Sequence, residues 1–338
     1  MDIRKLVKPN IRSLRAYQAE EIPCRVKLDA NESPFGMTVL KSVRTNRYPD
    51  PGARELRKLV AAELRVRPEN VLHGNGSDEL IYCLIAAFGG PVMYPVPTFS
   101  MYGIIAQALG ERRIEVPLDG AFDLDIKNCA SHVKKSRPRL VFLSSPNNPT
   151  GNSFSHDRIV RIIRQSGGIV VVDEAYQPFS DKKSFVPLLK KHRNLVVLRT
   201  LSKIGLAALR VGFMIADKDV VTEVNKVRLP FNVNALSQKV ATDALRNREQ
   251  RKGNINRIVA GRKMLLKNLE GIEGITVYPS DANFILFRVN NGDRVHRELL
   301  RHGILIRNMK GVAEGCLRVS VGAERENRAF LKALRVLM

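Results

Sequence analysis

Tryptophan is absent from this chain, and no run of 18 or more apolar residues occurs in it. The first absence decides nothing about function. The second argues against a membrane-spanning helix. The opening Met1-Asp2-Ile3-Arg4-Lys5-Leu6 lacks the apolar stretch of a secretory signal, so none is expected. Cysteine is scarce: Cys24, Cys83, Cys129 and Cys316 stand far apart and form no C-x-x-C pair. The six histidines do not cluster with them at ligand spacing, so no metal site is expected. Free thiols in a reducing cytoplasm are the expectation. Acidic residues are also short, 33 against 56 Lys and Arg, giving a net charge of +23. Such an excess opens nucleic acid, anionic membrane or phosphorylated metabolites as partners. The basic residues are spread along the whole chain, however. Clusters such as Lys134-Lys135-Ser136-Arg137 and Lys190-Lys191-His192-Arg193 are short and lie between hydrophobic runs, as a solvated surface does. No RNA-binding motif with stacking aromatics is present, so neither nucleic acid nor membrane is expected as a partner.

What is present is 338 residues, 44% apolar, enough for one large core or two unequal ones. There is no internal repeat and no low-complexity segment. The spacing of Leu56, Leu59, Val60 and Leu64 predicts a helix over 53–65, after the turn Tyr48-Pro49-Asp50-Pro51-Gly52. A second helix is predicted over 77–88, behind Gly74-Asn75-Gly76. Short β-rich runs follow at 92–94, 140–143, 169–172, 195–198 and 211–215, mostly separated by helical patterns. Continuous apolar strands alternating with helices predict an α/β fold with a mostly parallel sheet covered on both faces. Near residue 220 the pattern changes to a long helical stretch, then to strands at 275–278, 283–289, 304–306 and 317–321 with helices at 294–301 and 324–337. That reads as a smaller α+β domain. The expected boundaries are an arm over 1–30, a large domain over 31–235 and a small domain over 236–338.

Polar residues stand at the ends of the predicted strands, the edge where open parallel sheets bind ligands. Leu143 leads into Ser144-Ser145-Pro146-Asn147-Asn148-Pro149-Thr150-Gly151, which alone is a good turn. Val172 leads into Asp173-Glu174-Ala175-Tyr176, where an acid suits a cap, a metal or a cofactor. Leu198 leads into Arg199-Thr200-Leu201-Ser202-Lys203, with Arg210 seven residues beyond the lysine. A lone lysine is ordinarily on the surface.

The order and spacing are more specific than any one position. Asn148 precedes Asp173 by 25 residues and Asp173 precedes Lys203 by 30. This series resembles the fold-type I pyridoxal-phosphate aminotransferases. The resemblance implies a seven-stranded sheet and pyridoxal 5'-phosphate as cofactor. Lys203 would be the catalytic lysine, carrying the cofactor as a Schiff base and moving the substrate proton. Asp173 would sit against the pyridine nitrogen, Asn148 and Tyr176 at the ring 3' oxygen, and Phe99 against the ring face. Gly76, Ser77 and Asp78 at a helix start would receive the phosphate, with Ser202, Thr200 and Arg210. Many family members place that arginine eight residues after the lysine, and a loop one residue shorter accounts for the seven here.

Further segments narrow the resemblance to the histidinol-phosphate aminotransferases. Asn10 to Gln18 is similar to the family's arm, whose tyrosine, here Tyr17, faces the substrate. Leu28-Asp29-Ala30-Asn31-Glu32-Ser33-Pro34 matches a further family segment, with Asn31 at the substrate. Arg47-Tyr48-Pro49 matches the segment whose tyrosine reaches the partner's cofactor phosphate, which implies a homodimer with shared sites. Arg307 and Arg318 match two anion-binding arginines. A guanidinium fork accepts either a carboxylate or a phosphate, as a site for both glutamate and histidinol phosphate needs. The implied reaction is ping-pong transamination between histidinol phosphate and 2-oxoglutarate, giving imidazole-acetol phosphate and glutamate, in histidine biosynthesis. Competing readings are an aromatic aminotransferase, a threonine-phosphate decarboxylase and, from another class, a basic nucleic-acid-binding protein.

Overall fold

The computed structural model describes residues 24–29, 31, 33–35 and 48–338. Strand β1 (Val26–Lys27) lies ahead of helix α1 (Arg54–Leu64). Then come β2 (Val71–Asn75), α2 (Gly76–Phe88), β3 (Val92–Val96), α3 (Met101–Ala108), β4 (Arg113–Pro117), α4 (Ile126–Ser136), β5 (Leu140–Ser144), α5 (His156–Gln165), β6 (Ile169–Asp173), β7 (Leu195–Thr200) and β8 (Val211–Ala216). Helices α6 (Lys218–Val227), α7 (Ala235–Arg246) and α8 (Arg248–Glu270) follow. The chain closes with β9 (Ile275–Val277), β10 (Phe284–Val289), α9 (Gly292–Arg301), β11 (Ile304–Leu305), β12 (Arg307–Asn308), β13 (Cys316–Ser320) and α10 (Glu324–Leu337).

One sheet has seven strands in the order β2-β8-β7-β6-β5-β3-β4. Strands β3 to β7 run parallel, and β8 runs antiparallel to both neighbours, β2 and β7. Its centre is dry on both faces: every residue of β5 and β8 is buried, which is why these strands read as unbroken apolar runs. The reversal at β8 has a simple cause. The connection over 201–210 is too short for a helical crossover, so the chain returns beside β7 with Gly212 opposite Thr200. A Cβ on Gly212 would lie 2.4 Å from the backbone nitrogen of Ser77. The glycine therefore lets the start of α2 press onto β8.

Two of the seven strands were not among the predicted runs. In β4 exposed and buried residues alternate along an edge, so no continuous apolar run marks it. In β2 the run is only Val71-Leu72-His73 before Gly74-Asn75, and the strand passes directly into α2.

The second sheet is antiparallel, β12-β13-β10-β9, with α8, α9 and α10 against it. The strand predicted over 304–306 with Arg307 beside it is two strands. Ile304–Leu305 pairs in parallel with β1, whereas Arg307–Asn308 pairs with β13. Lys134, Lys135, Arg137, Lys190, Lys191 and Arg193 of the two basic clusters are exposed, as expected of a solvated surface, whereas some basic residues elsewhere are not. Arg251, Arg262 and Arg318 are buried. Arg262 donates Nη1 to the carbonyls of Phe179 at 3.0 Å and Ala282 at 2.8 Å, joining the segment after β6 to the loop before β10. Cys24, Cys83, Cys129 and Cys316 are all free. Among the described residues no helix is long and apolar enough to cross a membrane, and no His, Cys, Asp or Glu group could hold a metal.

Candidate active site

The parallel strands present their C-terminal ends to one edge of the large sheet, and a cavity of about 90 Å3 opens there. It is lined by Ser77, Asp78, Phe99, Asn148, Asp173, Tyr176, Thr200, Ser202, Lys203 and Arg210, among others. Residues from five separate segments, far apart in sequence, therefore face one space.

Asp173, the last residue of β6, lies at its base and is buried. Its Oδ2 accepts the Tyr102 hydroxyl at 2.8 Å and its Oδ1 accepts the Ala175 N–H at 3.1 Å. Burial pushes this carboxyl up to about 6, against the two hydrogen bonds and the Lys203 charge, which lower it. Lys203 follows β7 in a kinked helical turn, with Gly205 at φ 97°. Its Nζ lies 5.8 Å from the centroid of the Tyr176 ring.

At one end of the cavity α2 begins on Gly76, at φ +80°. A Cβ there would stand 2.6 Å from Nη2 of Arg210, so only glycine fits without displacement. Arg210, itself left-handed at φ 53°, closes the turn before β8. Its Nη1 donates to the Ser202 hydroxyl at 3.3 Å and its Nη2 to Asp78 at 2.9 Å. Thr200 donates to Ser202 at 2.9 Å. The result is a cup of hydroxyls, helix-start amides and a guanidinium. The seven-residue interval between Lys203 and Arg210 is taken up by a compact turn at 207–209.

A second cleft shares Asp78, Phe99, Asn148, Tyr176 and Lys203 with this cavity and extends to Asn31, Arg307 and Arg318. Arg307 and Arg318 are directly opposed on β12 and β13. Both line the second cleft, so two cationic side chains are available there to an anion. Arg318 donates to Asn148 Oδ1 at 2.5 Å and to the Asp29 carbonyl at 3.0 Å. Asn31 is buried, and its amide is committed to Tyr176 (3.2 Å) and Ser320 (2.9 Å). It also lines the second cleft.

Tyr17 lies outside the described residues. Tyr48 is exposed, stacks on Phe231 at 4.6 Å, and lines neither the cavity nor the second cleft. Tyr102, whose hydroxyl reaches Asp173, is not among the residues the sequence singles out, and no local pattern marks that contact.

The donor set fits pyridoxal phosphate. The cup suits a dianionic phosphate, and Asp173 is a buried carboxyl held by neutral donors at the cavity base. Lys203 is the amine between them.

A family model for aminotransferase class I and II matches residues 15–334. The chain belongs to that family. Within it, the histidinol-phosphate aminotransferase of Aquifex aeolicus is 44% identical over 346 residues, 97% of each chain. That of Caldanaerobacter subterraneus subsp. tengcongensis is 40% identical over 351 residues, 99% of each. Among solved structures, the histidinol-phosphate aminotransferase from Sinorhizobium meliloti in complex with pyridoxal-5'-phosphate matches with a TM-score of 0.85 over 98% of both chains. At 23% identity that likeness speaks for the fold. These aminotransferases match along nearly the whole length of the chain, so both sheets fall within the matched region.

Proposed function

We propose that this chain is a pyridoxal-phosphate-dependent transaminase that exchanges an amino group between histidinol phosphate and 2-oxoglutarate, giving imidazole-acetol phosphate and glutamate. The full-length similarity to curated histidinol-phosphate aminotransferases supports the reading. The observation that carries it to a substrate is the opposed pair Arg307 and Arg318 in a cleft that also reaches Lys203. A transaminase of this type must take a carboxylate in one half-reaction and a phosphate ester in the other. Two arginines lining one cleft suit either.

When bound, the cofactor supplies an electron-poor ring that holds the charge left by loss of a substrate Cα proton. The residues assigned to hold it are Ser77, Ser202, Thr200 and Arg210 at the phosphate, Phe99 at the ring face and Asp173 at the ring nitrogen. Gly76 and Asp78 belong to the same cup. The Asp78 carboxylate is paired with Arg210, so its backbone is the part suited to an anion. Asn148 accepts from Arg318 through Oδ1, an orientation that presents Nδ2 as a donor to the ring oxygen. Tyr176 accepts from Asn31 and keeps its own proton to donate. Lys203 would be the general base, its amine taking the proton from the substrate Cα and holding it for return. Phe99 and the buried base of the cavity keep water from that proton.

The chain is further proposed to work as a cytoplasmic homodimer, with Tyr48 reaching the partner's phosphate cup and Tyr17 facing substrate. Tyr48, Leu229, Phe231 and Leu236 are exposed large apolar residues, in keeping with a covered face in the assembly. Residues 31–235 and 236–338 are taken as its two domains, following an arm over 1–30 in the sequence.

Half-reactions test the function. Glutamate added to the cofactor-loaded protein should convert its absorbance to that of the amine form, and imidazole-acetol phosphate should reverse it. Carbon dioxide release, or no response to glutamate, would defeat the transaminase reading.

A further inference from the structure

We propose that Tyr102 is a positioning residue for this reaction, fixing both Asp173 and Phe99, two of the groups assigned to the cofactor ring. The inference rests on the cofactor reading above. Tyr102 is wholly buried on the first turn of α3. Its ring stacks on Phe142 of β5 at 4.8 Å and 14°, which fixes its plane against the sheet. Phe99 meets the same ring edge-on at 5.6 Å and 86°. The backbone N–H of Tyr102 also bonds the Phe99 carbonyl at 3.3 Å. Its hydroxyl then reaches Asp173 Oδ2 at 2.8 Å. One side chain thus sets the wall and the base of the cavity relative to each other.

The direction of the hydrogen bond gives the contact a chemical role. Burial and the neighbouring Asp173 hold the Tyr102 phenol well above its ordinary value, so it stays protonated and donates. A donated hydrogen bond favours the ionised carboxylate, the form that pairs with a protonated ring nitrogen. The other groups facing Asp173 are the Ala175 N–H, Lys203 from the turn after β7 and Asp78 from α2. Burial works against all the favourable ones. Without the phenol, the carboxyl would be neutral over more of the working pH range.

The test uses the full chain without cofactor, with 13C-labelled aspartate, and follows the Asp173 carboxyl by NMR after assignment with Asp173→Asn. Tyr102→Phe keeps the ring and removes only the hydroxyl. It should raise the Asp173 titration by about one pH unit or more. Tyr94→Phe is the control. Tyr94 lies in the same aromatic cluster, but its hydroxyl donates to Glu115. That variant should leave Asp173 unmoved. Site-specific 3-fluorotyrosine at 102, a stronger donor of nearly equal size, should shift it down. An unchanged titration in Tyr102→Phe, or an equal rise in Tyr94→Phe, overturns the proposal. A wild-type chain that fails to bind pyridoxal phosphate would sink the functional reading while leaving this titration measurable, so the two failures are distinct.

Discussion

Arg318 Nη1 donates to Asn148 Oδ1 at 2.5 Å, tying a central strand of the small sheet to the loop after β5 in the large one. The same guanidinium holds the Asp29 carbonyl and lies 5.1 Å from the Phe284 ring centroid. A residue assigned to the substrate anion therefore also orients a residue assigned to the cofactor. Arg318→Ala should lower kcat/KM for glutamate and histidinol phosphate together, by about 30-fold or more, as for a buried charge pair losing one partner. Steady-state kinetics with both substrates checks it. A loss confined to one substrate would refute the shared anion site.

Gly76→Ala probes the phosphate cup. The left-handed backbone there disfavours an L side chain by about 1–2 kcal/mol, and the added methyl meets Arg210. Cofactor affinity, read by absorbance titration, should fall roughly ten-fold or more. An unchanged Kd would remove Gly76 and Arg210 from the cofactor's surroundings.

Asp173 makes a stability prediction with a defined sign. Its carboxyl is held near 6 in the folded cofactor-free chain, above the ordinary 3.8. Between those values the folded state binds more protons than the unfolded one. Its contribution is fully present below about pH 4 and is lost as pH rises through about 6. Asp173→Asn should remove that dependence. Denaturant unfolding should find the variant more stable than wild type above pH 6, by roughly 2–3 kcal/mol, and closer to it at pH 4. A constant difference across that range would contradict the buried carboxyl.

Shared sites predict complementation. Lys203→Ala and Tyr48→Ala homodimers should each be weak. Random hybrids should regain about a quarter of wild-type activity, because half the dimers would carry one intact site. No recovery on mixing and reassembly would place Tyr48 outside the partner's site.

Much of this arrangement is legible in the sequence because strand ends carry the chemistry. Asp173 and Lys203 follow dry apolar runs that mark β6 and β7, so their placement at one edge follows from parallel pairing. The edge strand β4 was hidden by its alternation, and β2 by its brevity. The antiparallel β8 follows from the length of a connection, which the sequence does contain, but its consequence depends on β7 ending at Thr200. Tyr102 was hidden for another reason. Its role depends on a hydroxyl crossing from α3 to β6, and no sequence pattern records that contact. Likewise Arg307 and Arg318 are visible as strand arginines, whereas their opposition depends on the register of β12 against β13.

The central claim is that Lys203 holds the cofactor. Borohydride reduction of the pyridoxal-phosphate-loaded chain, followed by peptide mass mapping, tests it most directly. The account predicts one phosphopyridoxyl group, on Lys203, and none in Lys203→Ala. A stable label on another lysine, or a wild-type chain that takes none, would contradict it.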